Sequence, residues 1–137
     1  MNDVILNKKT SIERCAGQAR AYYETDTGVP FERDHFRQDA IAMNLQRAAE
    51  RTIDIANHLV KSRKLGLPAD SRESFALLEQ AGLIDSALAK KLQAMVGFRN
   101  VLVHEYRRID TGVMRDVIEN RLQDLLNFAN TAVKLVD

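Results

Sequence analysis

The sequence predicts an all-α fold, an up-and-down bundle of four long helices with one additional short helix. Apolar residues recur at spacings of three and four, which is typical of one face of a helix. Only two prolines and six glycines occur in 137 residues. Most of them lie in three short stretches, Thr27–Pro30, Gly66–Pro68 and Asp110–Gly112, which are expected to separate the helices. No alternating apolar pattern favours a strand.

The first three helical segments differ in length. One is expected near residues 2–24, and a second long helix carries apolar residues from Ile41 to Leu59. A short helix is expected between Ser71 and Gly82. Serine side chains can cap free backbone amides, and glycine suits the turn after a helix, so these two residues are expected to mark its ends.

Two further long helices follow. One begins near Ile84 and runs through the region of Arg99, and the last carries apolar residues from Ile118 to Val136. Helices of this length joined by short loops pack as near-antiparallel neighbours. Because no repeat or linker interrupts the pattern, residues 1–137 are expected to form a single domain.

Composition excludes several classes of protein. Twenty basic residues against nineteen acidic give a net charge of +1, so any attraction to nucleic acid must be local. Cys15 is the single cysteine, which rules out an intrachain disulfide and favours a reducing cytoplasm. No segment is typical of a signal peptide or a membrane span. No cysteine and histidine residues occur at the spacing of zinc ligands, and neither a metal nor a cofactor is expected.

One segment, Phe98–Arg108, concentrates three arginines, a histidine, an asparagine and a tyrosine in eleven positions. Such a set suits attack of a ribose 2'-hydroxyl on the neighbouring phosphate. That reaction needs a proton acceptor near neutral pH and a cation facing the phosphorane. His104 and Arg99 could supply them, since the planar fork of arginine donates two parallel hydrogen bonds to phosphate.

Helical geometry does not bring these groups together by itself. At 3.6 residues per turn, Arg99 and His104 lie about 140° apart, whereas Arg99 and Tyr106 are nearly in line. Either the last turn is distorted before Asp110, or a two-fold-related second copy completes the site. We favour a homodimer. The alternative interpretation of the whole cluster is that it complements the dipole at a helix C-terminus.

The spacing of Arg99, His104 and Tyr106 resembles the R-x4-H-x-Y motif of HepT-type toxins in the HEPN superfamily. Asn100 directly after the arginine and the apolar filler Val101-Leu102-Val103 are also typical of that branch. The resemblance implies a HEPN-like bundle in which Arg99 and His104 cleave RNA. Asn100 and Tyr106 would support the site, and the arginines that follow would bind RNA phosphates, namely Arg107 and Arg108.

The resemblance also implies how such a protein is controlled. Tyr106 would be the position that a cognate MntA-type nucleotidyltransferase antitoxin modifies with AMP, and two copies would share a cleft. The function expected is a metal-independent endoribonuclease toxin of a type VII toxin–antitoxin system, leaving a 2',3'-cyclic phosphate. The alternatives are a non-catalytic HEPN dimer that binds a nucleotide or protein, and a purely structural dimer.

Other polar and aromatic residues have simpler interpretations. Glu50 and Asp54 favour a solvated face interleaved with neighbouring arginines, with a polar wall of the cleft as the alternative. The ring of Tyr106 could pack at the helix end with its hydroxyl in solvent. Packing at a helix corner, rather than base stacking, is expected for four aromatic side chains: Tyr22, Tyr23, Phe31 and Phe36. Ordinary positions on the helix surface are expected for two histidines: His35 and His58.

Overall fold

The computed structural model describes residues 3–135 and is built from helices. Helix α1 spans Asp3–Glu24, α2 His35–Ser62, α3 Ser71–Gln80 and α4 Ser86–His104. A final long helix consists of α5 (Thr111–Asp116), a π-helical segment (Val117–Arg121) and α6 (Leu122–Leu135). The predicted arrangement of four long helices and one short helix is confirmed. Asn2 and Val136, which the sequence pattern included in the first and last helices, lie outside the described residues.

Aspartate side chains begin the helices that follow α1. The carboxylates of Asp34, Asp70, Asp85 and Asp110 each accept a hydrogen bond from a backbone N–H two or three residues later. These bonds satisfy amides that have no partner within a helix. The expectation that Ser71 caps α3 is wrong, because Asp70 occupies that position one residue earlier and accepts from the Glu73 amide at 2.9 Å.

Helix α2 is the centre of the bundle. It packs against α1, α3, α4 and α6 and buries side chains along its whole length, among them Ile41, Leu45 and Ile55. An edge-to-face contact between Phe75 and Phe128, with ring centroids 5.6 Å apart, joins α3 to α6. Within residues 3–135, no helix combines the length and apolar character needed to cross a bilayer.

The end of α4 decides the shape of the motif region. The helix ends at His104, because the backbone of Glu105 leaves the helical region with φ −141° and ψ 42°. Tyr106–Arg108 then form a separate 3-10 turn. A distorted turn, one of the two arrangements considered, is therefore present, but it begins after His104, so Arg99 and His104 both remain on α4 and still diverge. The alignment of Arg99 with Tyr106 that a straight helix would give is absent, since Tyr106 is not part of α4.

Candidate active site

Arg99 projects from α4 towards α2. Its Nη1 atom lies 3.9 Å from Glu50 Oε2, and its side chain is 23% exposed. The two groups form an ion pair, but the distance between them is longer than that of a hydrogen bond. The Nε atom of Arg99 is buried without a hydrogen-bond partner among residues 3–135. The guanidinium is thus balanced in charge, and it makes no hydrogen bond within residues 3–135, so its exposed part can bind an incoming anion such as phosphate.

The two acidic residues of α2 have different surroundings. Asp54 forms ion pairs with Lys8 at 3.4 Å and Arg51 at 3.7 Å, as expected for a solvated face. Glu50 instead faces Arg99, so the structure supports the polar-wall interpretation for this residue. The spacing along α2 could not separate the two, because positions four apart share one helix face.

His104 is the last residue of α4 and is exposed. Its imidazole makes no hydrogen bond or ion pair within the described range 3–135, and the same holds for the half-buried amide of Asn100. Asn100 follows Arg99 on the same helix, whereas no direct bond joins Arg99 to His104 in this part of the chain. The imidazole is therefore exposed, and no other described side chain occupies its nitrogens.

Tyr106 is held by a residue that sequence reasoning missed. Its hydroxyl donates a short hydrogen bond to Asp39 Oδ1 on α2, across 67 residues of sequence. Burial of the ring, followed by the hydrogen bond and the negative charge of Asp39, raises the pKa of the Tyr106 phenol well above its usual value. The alternative interpretation, a hydroxyl that meets only solvent, does not hold, because the hydroxyl donates to Asp39. No local pattern indicates this contact, since it depends on how α2 packs beside the 3-10 turn.

Cavities lie on both sides of the contact between Tyr106 and Asp39. One, of about 360 Å³, is also lined by His35, Gln38 and Arg107. The other, of about 240 Å³, extends over an apolar surface of α2 and α4 whose lining includes Met43 and Leu102. Tyr106 is therefore accessible from two directions although its hydroxyl is bonded. A larger cavity of about 740 Å³ lies at the opposite end of α2.

Arg107 and Arg108 follow Tyr106 in the same 3-10 turn, and both are exposed. Arg108 forms an ion pair with Glu105 at 3.8 Å, in which both side chains are more than half exposed. Pairs of this kind contribute little to stability. Arg107 makes no side-chain hydrogen bond or ion pair within residues 3–135. It borders the cavity of about 360 Å³ beside Tyr106. Both cations remain available to phosphate groups.

The remaining candidates have mixed outcomes. Tyr23 and Phe31 pack edge to face at 5.2 Å, which confirms their packing interpretation. For Phe36 that interpretation is wrong, because this side chain is 92% exposed. Among residues 3–135, no group of three or more histidine, cysteine, aspartate or glutamate side chains is placed to hold a metal ion.

Comparison with known proteins identifies the family of this chain. Residues 12–132 match the family described as ribonuclease HepT-like. The chain is 41% identical over 128 residues to the mRNA nuclease HepT of Shewanella oneidensis, covering 93% of this chain and 95% of that protein. It is 34% identical over 89 residues to the tRNA nuclease HepT of Aphanizomenon flos-aquae, covering 64% of this chain and 60% of that protein.

A solved structure has the same fold. The tri-AMPylated Shewanella oneidensis HEPN toxin in complex with the MNT antitoxin has a TM-score of 0.90 to this chain and 38% sequence identity, over 99% of this chain and 100% of that one. The resemblance found in the motif thus extends over the whole bundle. The chain belongs to the HepT-like ribonuclease family of HEPN proteins.

Proposed function

We propose that this protein is a metal-independent endoribonuclease toxin of a type VII toxin–antitoxin system. The observation that carries the proposal is the state of Arg99, a half-buried cation whose Nε has no partner among the described residues. It lies on the helix that ends at the exposed His104. An RNA substrate and the single cysteine, Cys15, favour the cytoplasm as the compartment of this activity.

The proposed reaction uses the ribose of the substrate as nucleophile. His104 accepts the proton of a 2'-hydroxyl, and the 2'-oxygen attacks the adjacent phosphorus. Arg99 donates hydrogen bonds to the phosphorane oxygens, on which negative charge develops. The bond to the 5'-oxygen then breaks, and this oxygen takes up a proton, leaving a 2',3'-cyclic phosphate and a 5'-hydroxyl. No metal ion is required, because a base and a cation are both present in the chain.

Other residues of the site bind the substrate. Asn100 has a free side-chain amide beside Arg99 and would orient the phosphate. Arg107 and Arg108 are exposed and would contact phosphates along the strand. Because Arg99 and His104 diverge around α4, we propose that two copies of the chain form a homodimer in which both contribute to one cleft.

Control of the activity is proposed to occur at Tyr106. A cognate nucleotidyltransferase antitoxin would transfer AMP to the Tyr106 hydroxyl, as the motif resemblance implies and as the tri-AMPylated HEPN toxin in its complex with MNT antitoxin supports. The added phosphodiester carries a negative charge next to Arg107 and Arg108. It would occupy the cations that RNA phosphates need, so inhibition would be competitive with RNA.

The direct test is cleavage of a fluorescent RNA by the purified protein. Activity is expected to persist in EDTA, and Arg99→Ala and His104→Ala are each expected to lower the rate by about a hundredfold or more. Asp54→Asn, which changes a carboxylate of the solvated face, is the matched control and should cleave normally. Loss of activity on chelation would refute the mechanism. RNA binding without cleavage would favour the non-catalytic alternative.

A further inference from the structure

The hydrogen bond from Tyr106 to Asp39 affects how the tyrosine hydroxyl can react. The tyrosine hydroxyl donates its proton directly to a carboxylate oxygen. Asp39 lies in the first turns of α2, so its position is set by a helix that packs throughout the core. Asp39 is itself exposed, and both partners border open cavities that a second molecule can enter. The contact is a proton donor and acceptor pair at an accessible surface.

A tyrosine acts as a nucleophile only when its hydroxyl loses a proton. Burial and the neighbouring carboxylate raise the pKa of Tyr106, so its phenolate is scarce at neutral pH. The other charged or titratable groups that line the 360 Å³ cavity are Glu32, in a 3-10 turn (Phe31–Arg33) just before α2, His35 on α2 and Arg107 beside Tyr106. Among the described residues, the hydroxyl has one side-chain acceptor, Asp39.

We propose that Asp39 is a catalytic residue of the reaction that modifies Tyr106, accepting the hydroxyl proton as the tyrosine attacks a nucleoside triphosphate. This inference rests on the proposed transfer of AMP to Tyr106. In the step, a bond forms between Tyr106 Oη and the α-phosphorus of ATP, and the bond from that phosphorus to the bridging oxygen of the β-phosphate breaks. Pyrophosphate leaves with the electron pair, and the proton passes from Oη to Asp39 Oδ1.

A carboxylate is sufficient for this role. The phenol becomes much more acidic as the new oxygen–phosphorus bond forms, so a weak base in hydrogen-bond contact can take the proton in the transition state. The target protein thereby supplies part of the machinery for its own modification, while the transferase supplies the nucleotide. Tyr22, an exposed tyrosine, has no hydrogen-bonded carboxylate within residues 3–135. Tyr23 does donate to a carboxylate, that of Glu119, but it does not line either of the cavities beside Tyr106.

The test compares initial rates of AMP transfer, followed by intact-protein mass spectrometry with ATP, magnesium and the cognate nucleotidyltransferase. Asp39→Asn keeps an oxygen that can accept the hydrogen bond but cannot take the proton, and it is expected to lower the rate by about a hundredfold. Asp39→Glu is expected to recover part of the rate. Asp54→Asn, a carboxylate of the same helix that pairs with Lys8, should match the unmodified protein within about twofold.

The pH dependence of the rate of AMP transfer distinguishes two roles for Asp39: accepting a proton from Tyr106 and only holding its ring in place. Without a base, the reaction depends on phenolate formed in solution. The rate of Asp39→Asn is therefore expected to rise about tenfold per pH unit between about pH 7.5 and 9, a range above the ordinary titration of histidine. The unmodified protein should show a much flatter profile. Equal slopes in the two proteins would overturn the inference.

The failure of this inference differs from failure of the proposed function. Tyr106→Phe should gain no mass, and absence of AMP on Tyr106 in the unmodified protein would refute the proposed control itself. If Tyr106 is modified and Asp39→Asn reacts as fast as the unmodified protein, only the role of Asp39 is overturned. Asp39→Ser provides a second neutral variant, with thermal melting as the check that each variant is folded. Because Asp39 is exposed, small effects on stability are expected.

Discussion

At the scale of single residues, two carboxylates contact the motif. One balances the charge of Arg99, and the other accepts a hydrogen bond from Tyr106. Glu50 holds Arg99 at 3.9 Å, close enough to compensate its charge and too far for a strong hydrogen bond. Asp39 instead binds the Tyr106 hydroxyl directly. The arginine can thus bind an anion, whereas the tyrosine hydroxyl already donates a hydrogen bond to Asp39.

The role of the guanidinium fork can be tested by Arg99→Lys. Lysine keeps the charge but donates from a single point, so one charge-assisted hydrogen bond to the phosphorane is lost, worth about 1.5–3 kcal/mol. The kcat/KM for RNA cleavage is expected to fall about tenfold to a hundredfold. Arg51→Lys, which alters an arginine paired with Asp54, serves as the control. Full activity of Arg99→Lys would show that charge alone is sufficient.

Asp34 gives the fold a defined pH dependence. Hydrogen bonds from the Thr27 hydroxyl and the Arg37 amide lower the pKa of the Asp34 carboxyl. Because the folded value lies below the unfolded value of about 3.9, the stabilisation is complete above that pH. It is lost as the pH falls through the folded value.

Urea unfolding at pH 7 and at about pH 3 measures this effect. The free energy of unfolding is expected to fall less between the two pH values in Asp34→Asn than in the unmodified protein. The asparagine side chain can still cap α2, so the comparison isolates the charge. An unchanged pH dependence in the variant would contradict the assignment.

At the scale of secondary structure, aspartate caps fix where the helices begin. Asp110 bonds to the Gly112 amide at the start of α5, immediately after the turn that carries Tyr106. Because α4 ends at His104 and this cap begins α5, the segment between them that carries Tyr106 is only a few residues long. The π-helical segment Val117–Arg121 then joins α5 to α6.

The caps of α3 provide a direct test of the boundary that the sequence misassigned. Asp70→Ala is expected to lower the free energy of unfolding by about 1 kcal/mol, because it removes the bond to the Glu73 amide. Ser71→Ala should have a smaller effect, since Ser71 is the first helical residue. Chemical denaturation of both variants measures the difference. A larger cost for Ser71→Ala would mean that the serine is the cap.

At the scale of the whole molecule, the bundle leaves apolar side chains exposed on α2 and on α4. Met43 is 53% exposed on α2 and Val103 is 43% exposed on α4. Met43 also lines the smaller cavity with Leu102 and Tyr106. Contiguous apolar patches rimmed by polar residues mark surfaces that bind another protein. A homodimer in which two copies share the cleft would cover this surface.

Light scattering of the purified protein at micromolar concentration is expected to give the mass of a dimer. Met43→Glu is expected to shift the protein towards monomer, because it would bury a charge in the proposed interface. Leu67→Glu changes a side chain that is 95% exposed at the opposite end of α2 and should leave the dimer intact. A strictly monomeric unmodified protein would refute the predicted assembly.

The local pattern of the chain was sufficient to predict the helices and to locate the motif. Apolar spacing indicated each long helix, and the positions of Arg99, His104 and Tyr106 indicated the chemistry. These features depend on neighbours within a few turns, where backbone geometry relates sequence spacing to position in space. The same local reasoning misassigned the cap of α3, because aspartate and serine are both good caps and the pattern permits either.

The tertiary structure decided which carboxylates meet the motif and where the motif leaves its helix. Glu50 and Asp54 share a face of α2, yet only Glu50 packs against Arg99. Asp39 reaches Tyr106 across 67 residues, and it can do so because the chain leaves the helical conformation at Glu105. Such contacts depend on the packing of whole helices against one another, which the spacing of residues within one helix does not encode.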